Sequence, residues 1–79
     1  MFKVRLNPSA GLVQLDLNKD QNYSYSISVV SLSGKKMYYE EGVKGGIFYL
    51  NLDYLDKGIY FIRLINENGF VMSEKVELL

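Results

Sequence analysis

The chain reads as short runs in which apolar side chains recur at every second position, separated by clusters of Gly, Asn, Asp, Ser and Pro. A period of two places alternate side chains on opposite sides of an extended strand, and no window of helical length sustains a 3.6-residue stripe. Seven such segments follow one another. In residues 2–6, Phe2, Val4 and Leu6 share a side, and the run ends at Asn7-Pro8, where proline withdraws a ladder donor. After Gly11, residues 12–17 turn Val13, Leu15 and Leu17 inward and Gln14 and Asp16 outward, before a polar turn over 18–22. Residues 23–32 set Tyr25, Ile27 and Val29 against Ser24, Ser26 and Ser28. Val30 and Leu32 then move the apolar side, which implies a bulge or burial of both faces near Val29. Ser33-Gly34 predicts a hairpin into residues 35–40, where Met37 and Tyr39 alternate with Lys36, Tyr38 and Glu40. Residues 41–46 hold three glycines and are expected to form a mobile loop. Residues 47–52 and 60–65 are the next strands, Asn66-Glu67-Asn68-Gly69 predicts a hairpin on a two-residue Asn-Gly turn, and residues 70–78 complete the set.

The stretch from 50 to 64 organises the rest. Leu50 and Leu52 share one face of the incoming strand, and Tyr60, Ile62 and Leu64 share one face of the outgoing strand. The residues between are too many for a tight hairpin and enough to carry the chain from one sheet to a facing one, with Leu55 the aliphatic side chain available to plug the sandwich end. Gly58 permits a positive φ. Tyr60, two residues on, fits a tyrosine corner, in which the hydroxyl bonds back to upstream backbone. The expected fold is all-β: a seven-stranded antiparallel β-sandwich, Ig-like with Greek-key connections, spanning residues 1–79 as one domain, its sheets bridged by residues 53–60.

Composition narrows the chemistry. Apolar residues make up 48% of the 79 positions, too many for a disordered segment, and a chain this short buries only about 60% of its unfolded surface. Nine basic and nine acidic residues give no net charge, and Lys35-Lys36 is the only tight basic pair, so nucleic acid is not an expected partner. Neither histidine nor cysteine is present, which removes the usual neutral-pH base and every Ser/His or Cys/His nucleophile. No run reaches the ~18 apolar residues of a membrane helix, so direct membrane insertion is not expected. Residues 1–6 alternate apolar and basic side chains, unlike the apolar core of an export signal. The chain is therefore expected to be intracellular or a module of a longer precursor with its signal elsewhere.

Candidate chemistry is sparse. Asp16, Asn18 and Asp20 copy the opening alternation of a calcium loop, but Gln21 stands where such a loop needs glycine and Ile27 where it needs a bidentate glutamate. Turn formation explains the same residues, and no cofactor is expected. Asp53 and Asp56 could be read as an acid/base pair, yet the corner already accounts for them. Asn22-Tyr23-Ser24 fits a glycosylation sequon. Lys35-Lys36 and Glu40-Glu41 read as solvated hairpin ends. Of seven tyrosines, Tyr23, Tyr38, Tyr49 and Tyr54 are assigned outward, where they serve either strand propensity or a binding face. The open sheet edges of a sandwich can recruit an extended partner.

Taken in order, these blocks resemble the type A C-terminal sorting domain of cargo proteins of the type IX secretion system of Bacteroidetes. That family opens on an Asn-Pro turn and a following glycine, here Asn7, Pro8 and Gly11. Its middle signature, Val-x-Asp-x-x-Gly-Lys-x-Val, is matched by residues 29–37, with Ser31 in place of the aspartate. Its third block, Asp-Leu-Ser-x-Leu-x-x-Gly-x-Tyr, is matched by residues 51–60, with Asn51 in place of the first aspartate. Lys75-Val76 matches its final Lys-Val. Arg5-Leu6 stands where Tyr-Pro often precedes the turn, and Glu77 lies in a tail that is often basic.

The resemblance implies an address and not an enzyme. The folded domain would be recognised in the periplasm, carry an upstream cargo through an outer-membrane translocon with the help of a shuttle, and be removed by a sortase, leaving the cargo secreted or on the outer cell surface. It places Gly34, Lys35 and Lys75 at or near the recognised surface, and Leu55, Gly58 and Tyr60 in the corner. The alternatives are a small Ig-like accessory or adhesion domain with no sorting role, and a calcium-dependent binding module on residues 16–22.

Overall fold

The computed structural model describes residues 3–7, 10–17, 24–44, 46–69 and 71–79. Expectations placed on Phe2, Pro8, Asn18, Asp20, Asn22 and Tyr23 lie outside these residues, as does the side chain of Asn7. The described residues contain strands and no helix: β1 (Lys3–Asn7), β2 (Leu12–Leu17), β3 (Ser24–Ser31), β4 (Lys36–Lys44), β5 (Gly46–Asn51), β6 (Gly58–Asn66) and β7 (Val71–Leu78). They form two antiparallel sheets, ordered β1-β2-β5 and β4-β3-β6-β7. Relative to the constant-type immunoglobulin arrangement of four strands facing three, β4 lies beside β3 in the second sheet, not in the first.

The alternation seen in the sequence becomes the core. Val13, Leu15, Leu17, Leu50 and Leu52 from one side of the sandwich meet Tyr25, Ile27, Val29, Ile62, Leu64, Val76 and Leu78 from the other in one buried cluster. Leu15, Ile27, Leu52, Ile62 and Leu64 are wholly buried, each removing a large aliphatic side chain from water for about 1.5–3 kcal/mol. The outward assignment of Gln14 and Asp16 holds in direction, with both half-buried between neighbouring strands.

β4 departs most from expectation. The glycine-rich segment read as a mobile loop is strand through Lys44, and Gly46 already opens β5. The ladder pairs Val29 with Tyr38 but Val30 with Lys36, and Ile27 with Glu40 but Tyr25 with Val43, so β4 carries two extra residues relative to β3. One bulge falls at Met37. The other falls across Glu41-Gly42, where Gly42 takes a φ of 74°. A bulge with a left-handed residue, as at Gly42, favours glycine there, and that glycine content imitates a loop. The bulge at Met37 also breaks the expected alternation: Met37 and Tyr38 both pack on the core while Tyr39 is exposed. The irregularity foreseen near Val29 is thus present, together with half-burial of Val30 on the outer face. Leu32 does not extend an apolar face, because it is 69% exposed in the turn.

Both hairpins in the larger sheet close on a left-handed glycine. At the first, the Gly34 amide donates to Ser31 O at 2.9 Å and Gly34 has a φ of 92°. At the second, the Gly69 amide donates to Asn66 O at 2.9 Å, and the Asn68 amide donates to Asn66 Oδ1 at 2.9 Å. The expected two-residue Asn-Gly turn is displaced by one position. Among the described residues only glycines have positive φ, so Glu67 and Asn68 form the centre and Gly69 follows them.

Among the described glycines, Gly11 is the one packed against other backbone. Its φ is 67°, and a Cβ placed there would lie 2.8 Å from both Cα and N of Asp53 and 3.0 Å from Leu52 C, all backbone atoms. Gly34 has a comparable φ, yet a Cβ there would meet nothing within 4 Å. Gly11→Ala is therefore expected to cost about 2 kcal/mol or more, combining backbone strain with a clash against main chain. Gly34→Ala should cost about 1 kcal/mol from strain alone. Urea unfolding of the two variants, compared with the parent, measures the difference.

Candidate functional site

The corner is built from four backbone constraints. Asn51 Oδ1 accepts the Asp53 amide at 3.1 Å, and Leu52 O accepts the Leu55 amide at 3.1 Å, turning the chain out of β5. The Leu52 amide donates to Gly11 O at 2.7 Å, tying the turn before β2 to the corner. Gly58, with a φ of 148°, then starts β6, and the Tyr60 hydroxyl donates to Asp56 O at 2.7 Å. Residues 53–60 thus lead from the three-stranded to the four-stranded sheet with Tyr60 buried, and Leu55 packs against the end of the core. Asn51 and Ser31, which replace aspartates of the resembled pattern, still act as acceptors: Ser31 Oγ receives the Lys35 amide at 3.1 Å.

A hydroxyl or an amide oxygen is enough for that work.

Beside the corner, the Tyr54 hydroxyl donates to Met37 O at 3.5 Å, linking it to the bulge of β4. Tyr54 and Tyr49 are exposed as expected, whereas Tyr38 is half-buried. Tyr38 donates its hydroxyl to Glu40 Oε1 at 3.0 Å. Burial, that bond to a carboxylate, and the nearby charges of Glu40 and Tyr54 raise the Tyr38 pKa above the ordinary phenol value.

The residues assigned to recognition do not all come together. Gly34 and Lys35 sit exposed at the tip of the β3–β4 hairpin. Lys75 lies on β7, exposed, opposite Phe61. Phe61 in turn faces Val30, and Val30 faces Lys36. Lys36, not Lys35, therefore shares a row with Lys75 across the larger sheet. The next row runs Tyr39, Ser28, Arg63, Ser73. Sequence reasoning did not place Lys36, Phe61 and Arg63 in these rows. A signal existed in the unbroken apolar run 59–62, which alternation on one buried face does not explain.

Asp16 is half-buried on β2 opposite Ile47, and its supposed companions Asn18 and Asp20 lie outside the described residues. Among the described residues no three potential metal ligands gather, and no helix is long and apolar enough to cross a membrane. Two small surface depressions lie among the described residues. One of about 70 Å³ lies beside Gly11 and Leu55, and one of about 210 Å³ beside Tyr39, Glu41 and Glu67.

The family model for the secretion system C-terminal sorting domain matches residues 7–77, from the first turn through the last strand. The chain belongs to this family. Its domain is the C-terminal sorting signal of type IX secretion, which implies export to the cell surface or beyond, contact with the secretion machinery and an upstream cargo. No match appears among curated proteins. The sorting-domain family is not enzymatic, and the match does not favour an accessory adhesion domain.

Two outcomes follow for the sorting domain's corner and flank. Tyr60→Phe should lower stability by about 1–2 kcal/mol, since it leaves Asp56 O without its donor while keeping the ring; chemical unfolding measures this. A raised phenol pKa in the folded state contributes stability that is present below the unfolded phenol pKa and is lost as pH rises through the folded one. Melting temperature should therefore fall in the alkaline range, and Tyr38→Phe should remove part of that fall.

Proposed function

We propose that this domain is an address read in its folded state. It passes through the periplasm attached to its cargo, engages the outer-membrane translocon and a shuttle, and is a substrate for a sortase at the surface. It carries out no reaction of its own. The observation that supports this most is the family match over residues 7–77. The chain's conformational demands point the same way: its positive-φ glycines and buried tyrosine hydroxyl serve turns, bulges and the corner. A receptor can hold a sandwich by edges and faces without any catalytic group. The whole described segment folds around one core, and we treat residues 1–79 as a single domain. Gly34, Lys35 and Lys75 are taken to lie at or near the recognised surface.

The test is a reporter carrying this chain at its C-terminus. It is expected on the cell surface of a strain with the type IX machinery and to be retained in an otherwise identical strain lacking it. Equal surface display in both strains would refute the sorting role. In the same assay Lys35→Glu and Lys75→Glu should each reduce display if those lysines meet the machinery.

A further inference from the structure

The outer face of the four-stranded sheet carries a pattern that neither the core nor the corner requires. Outward positions of a half-buried sheet are ordinarily polar, and β3 begins that way with Ser24, Ser26 and Ser28. The pattern then changes. Val30 and Phe61 pair across β3 and β6, both half-buried, although their side chains point away from the core side taken by Val29, Tyr60 and Ile62. Ile59 and Ile65 continue Phe61's side of β6, also half-buried.

Cations flank the Val30–Phe61 pair at the centre of this apolar strip. In the row Lys36, Val30, Phe61, Lys75, the two lysines stand at the edges of the sheet, about 14 Å apart at three strand spacings of ~4.8 Å. In the adjacent row Arg63 lies between Ser28 and Ser73. Lys36 is held over the ring of Tyr39, with Nζ 4.5 Å from its centre, which orients the ammonium over the sheet. Among the described residues neither Arg63 nor Lys75 forms an ion pair. Neither row contains a carboxylate, although Glu77 stands opposite Ile59 in the row beyond Lys75 and Glu41 Oε2 accepts the Tyr39 hydroxyl at 3.5 Å. Three cations thus stand around the Val30–Phe61 pair, with Glu77 at the Ile59 end of the strip.

The other sheet offers a contrast. Its outer face exposes Leu12, Ile47 and Tyr49, and there a carboxylate, Asp16, stands directly opposite Ile47 while uncharged Gln14 faces Tyr49, so no cation is the direct β2 partner of either.

We infer that the outer face of the four-stranded sheet docks an acidic, partly apolar segment of a protein of the secretion machinery. An apolar side chain of that segment covers Val30 and Phe61, and carboxylates flank it toward Lys36, Arg63 and Lys75. Charge complementarity selects this occupant over a second copy of the chain, since two such faces brought together oppose cation to cation. The inference rests on the sorting role proposed above, and Lys36, Phe61 and Arg63 are the residues it adds.

The test uses the full chain as a C-terminal fusion in the secretion-competent strain, with variants that leave Lys35 and Lys75 intact. Lys36→Glu/Arg63→Glu should reduce surface display about tenfold, because reversed charges oppose an acidic partner. The charge-conserving Lys36→Arg/Arg63→Lys should be displayed near the parental level. Phe61→Thr, which keeps a strand-forming residue and removes the apolar anchor, should reduce display several-fold by loss of apolar burial (~25 cal/mol per Å²). Each variant is first shown to melt as a folded chain. Parental display of the folded charge-reversed variant overturns the inference, as does equal loss in the charge-conserving one. Failure of the parent to depend on the machinery would instead overturn the sorting role itself.

Discussion

The corner depends on a close approach of two backbones. Gly11 lies against Leu52 and Asp53 so closely that no side chain fits between them, and the Leu52 amide closes the contact on Gly11 O at 2.7 Å. That contact locks the start of β2 to the exit from β5, on the same corner that Tyr60 holds from the other side through Asp56 O. With both ends of the corner fixed, β6 must leave it in the register that buries Tyr60, Ile62 and Leu64. A period-two pattern leaves no intermediate choice: a slip of one residue would turn Phe61 and Arg63 into the core. The outer face of the larger sheet is in this sense set by the corner.

The same logic explains how a sorting domain can be small. Its positive-φ glycines shape the backbone at turns, bulges and the corner, while much of its charge lies on exposed strand and hairpin positions. On the proposed reading, recognition would depend on which strands stand side by side, a property lost on unfolding. The bulges of β4 add a further constraint, since a doubly interrupted edge pairs poorly with a foreign strand.

Much of this architecture was legible in the residues, and the parts that were not share a cause. The corner was readable because Leu55, Gly58 and Tyr60 each have one conformational use at that spacing, and β2 was readable because its alternation is clean. Residues 41–46 were misread because a left-handed glycine in a bulge and one in a loop look alike in sequence; only the partner strand tells them apart. The same bulging hid the row across the sheet. One extra residue at Met37 brings Lys36 opposite Val30, so the lysine that shares a row with Lys75 is the neighbour of the one that motif matching selects. The hairpin at Asn66 slipped by one position for a related reason: the Asn66 side chain stabilises a turn centred on Glu67 and Asn68 by accepting the Asn68 amide. Position-by-position pattern reading identifies faces and turns; it does not count residues across a ladder.

If the Gly11 contact governs the fold, the Leu52 amide should be among the last to open. Native-state hydrogen exchange across a series of denaturant concentrations measures this directly. The account predicts that Leu52 exchanges with the free energy and denaturant dependence of the core amide of Ile62, that is, only through global unfolding. Exchange of Leu52 through a local opening, insensitive to denaturant while Ile62 remains protected, would contradict it.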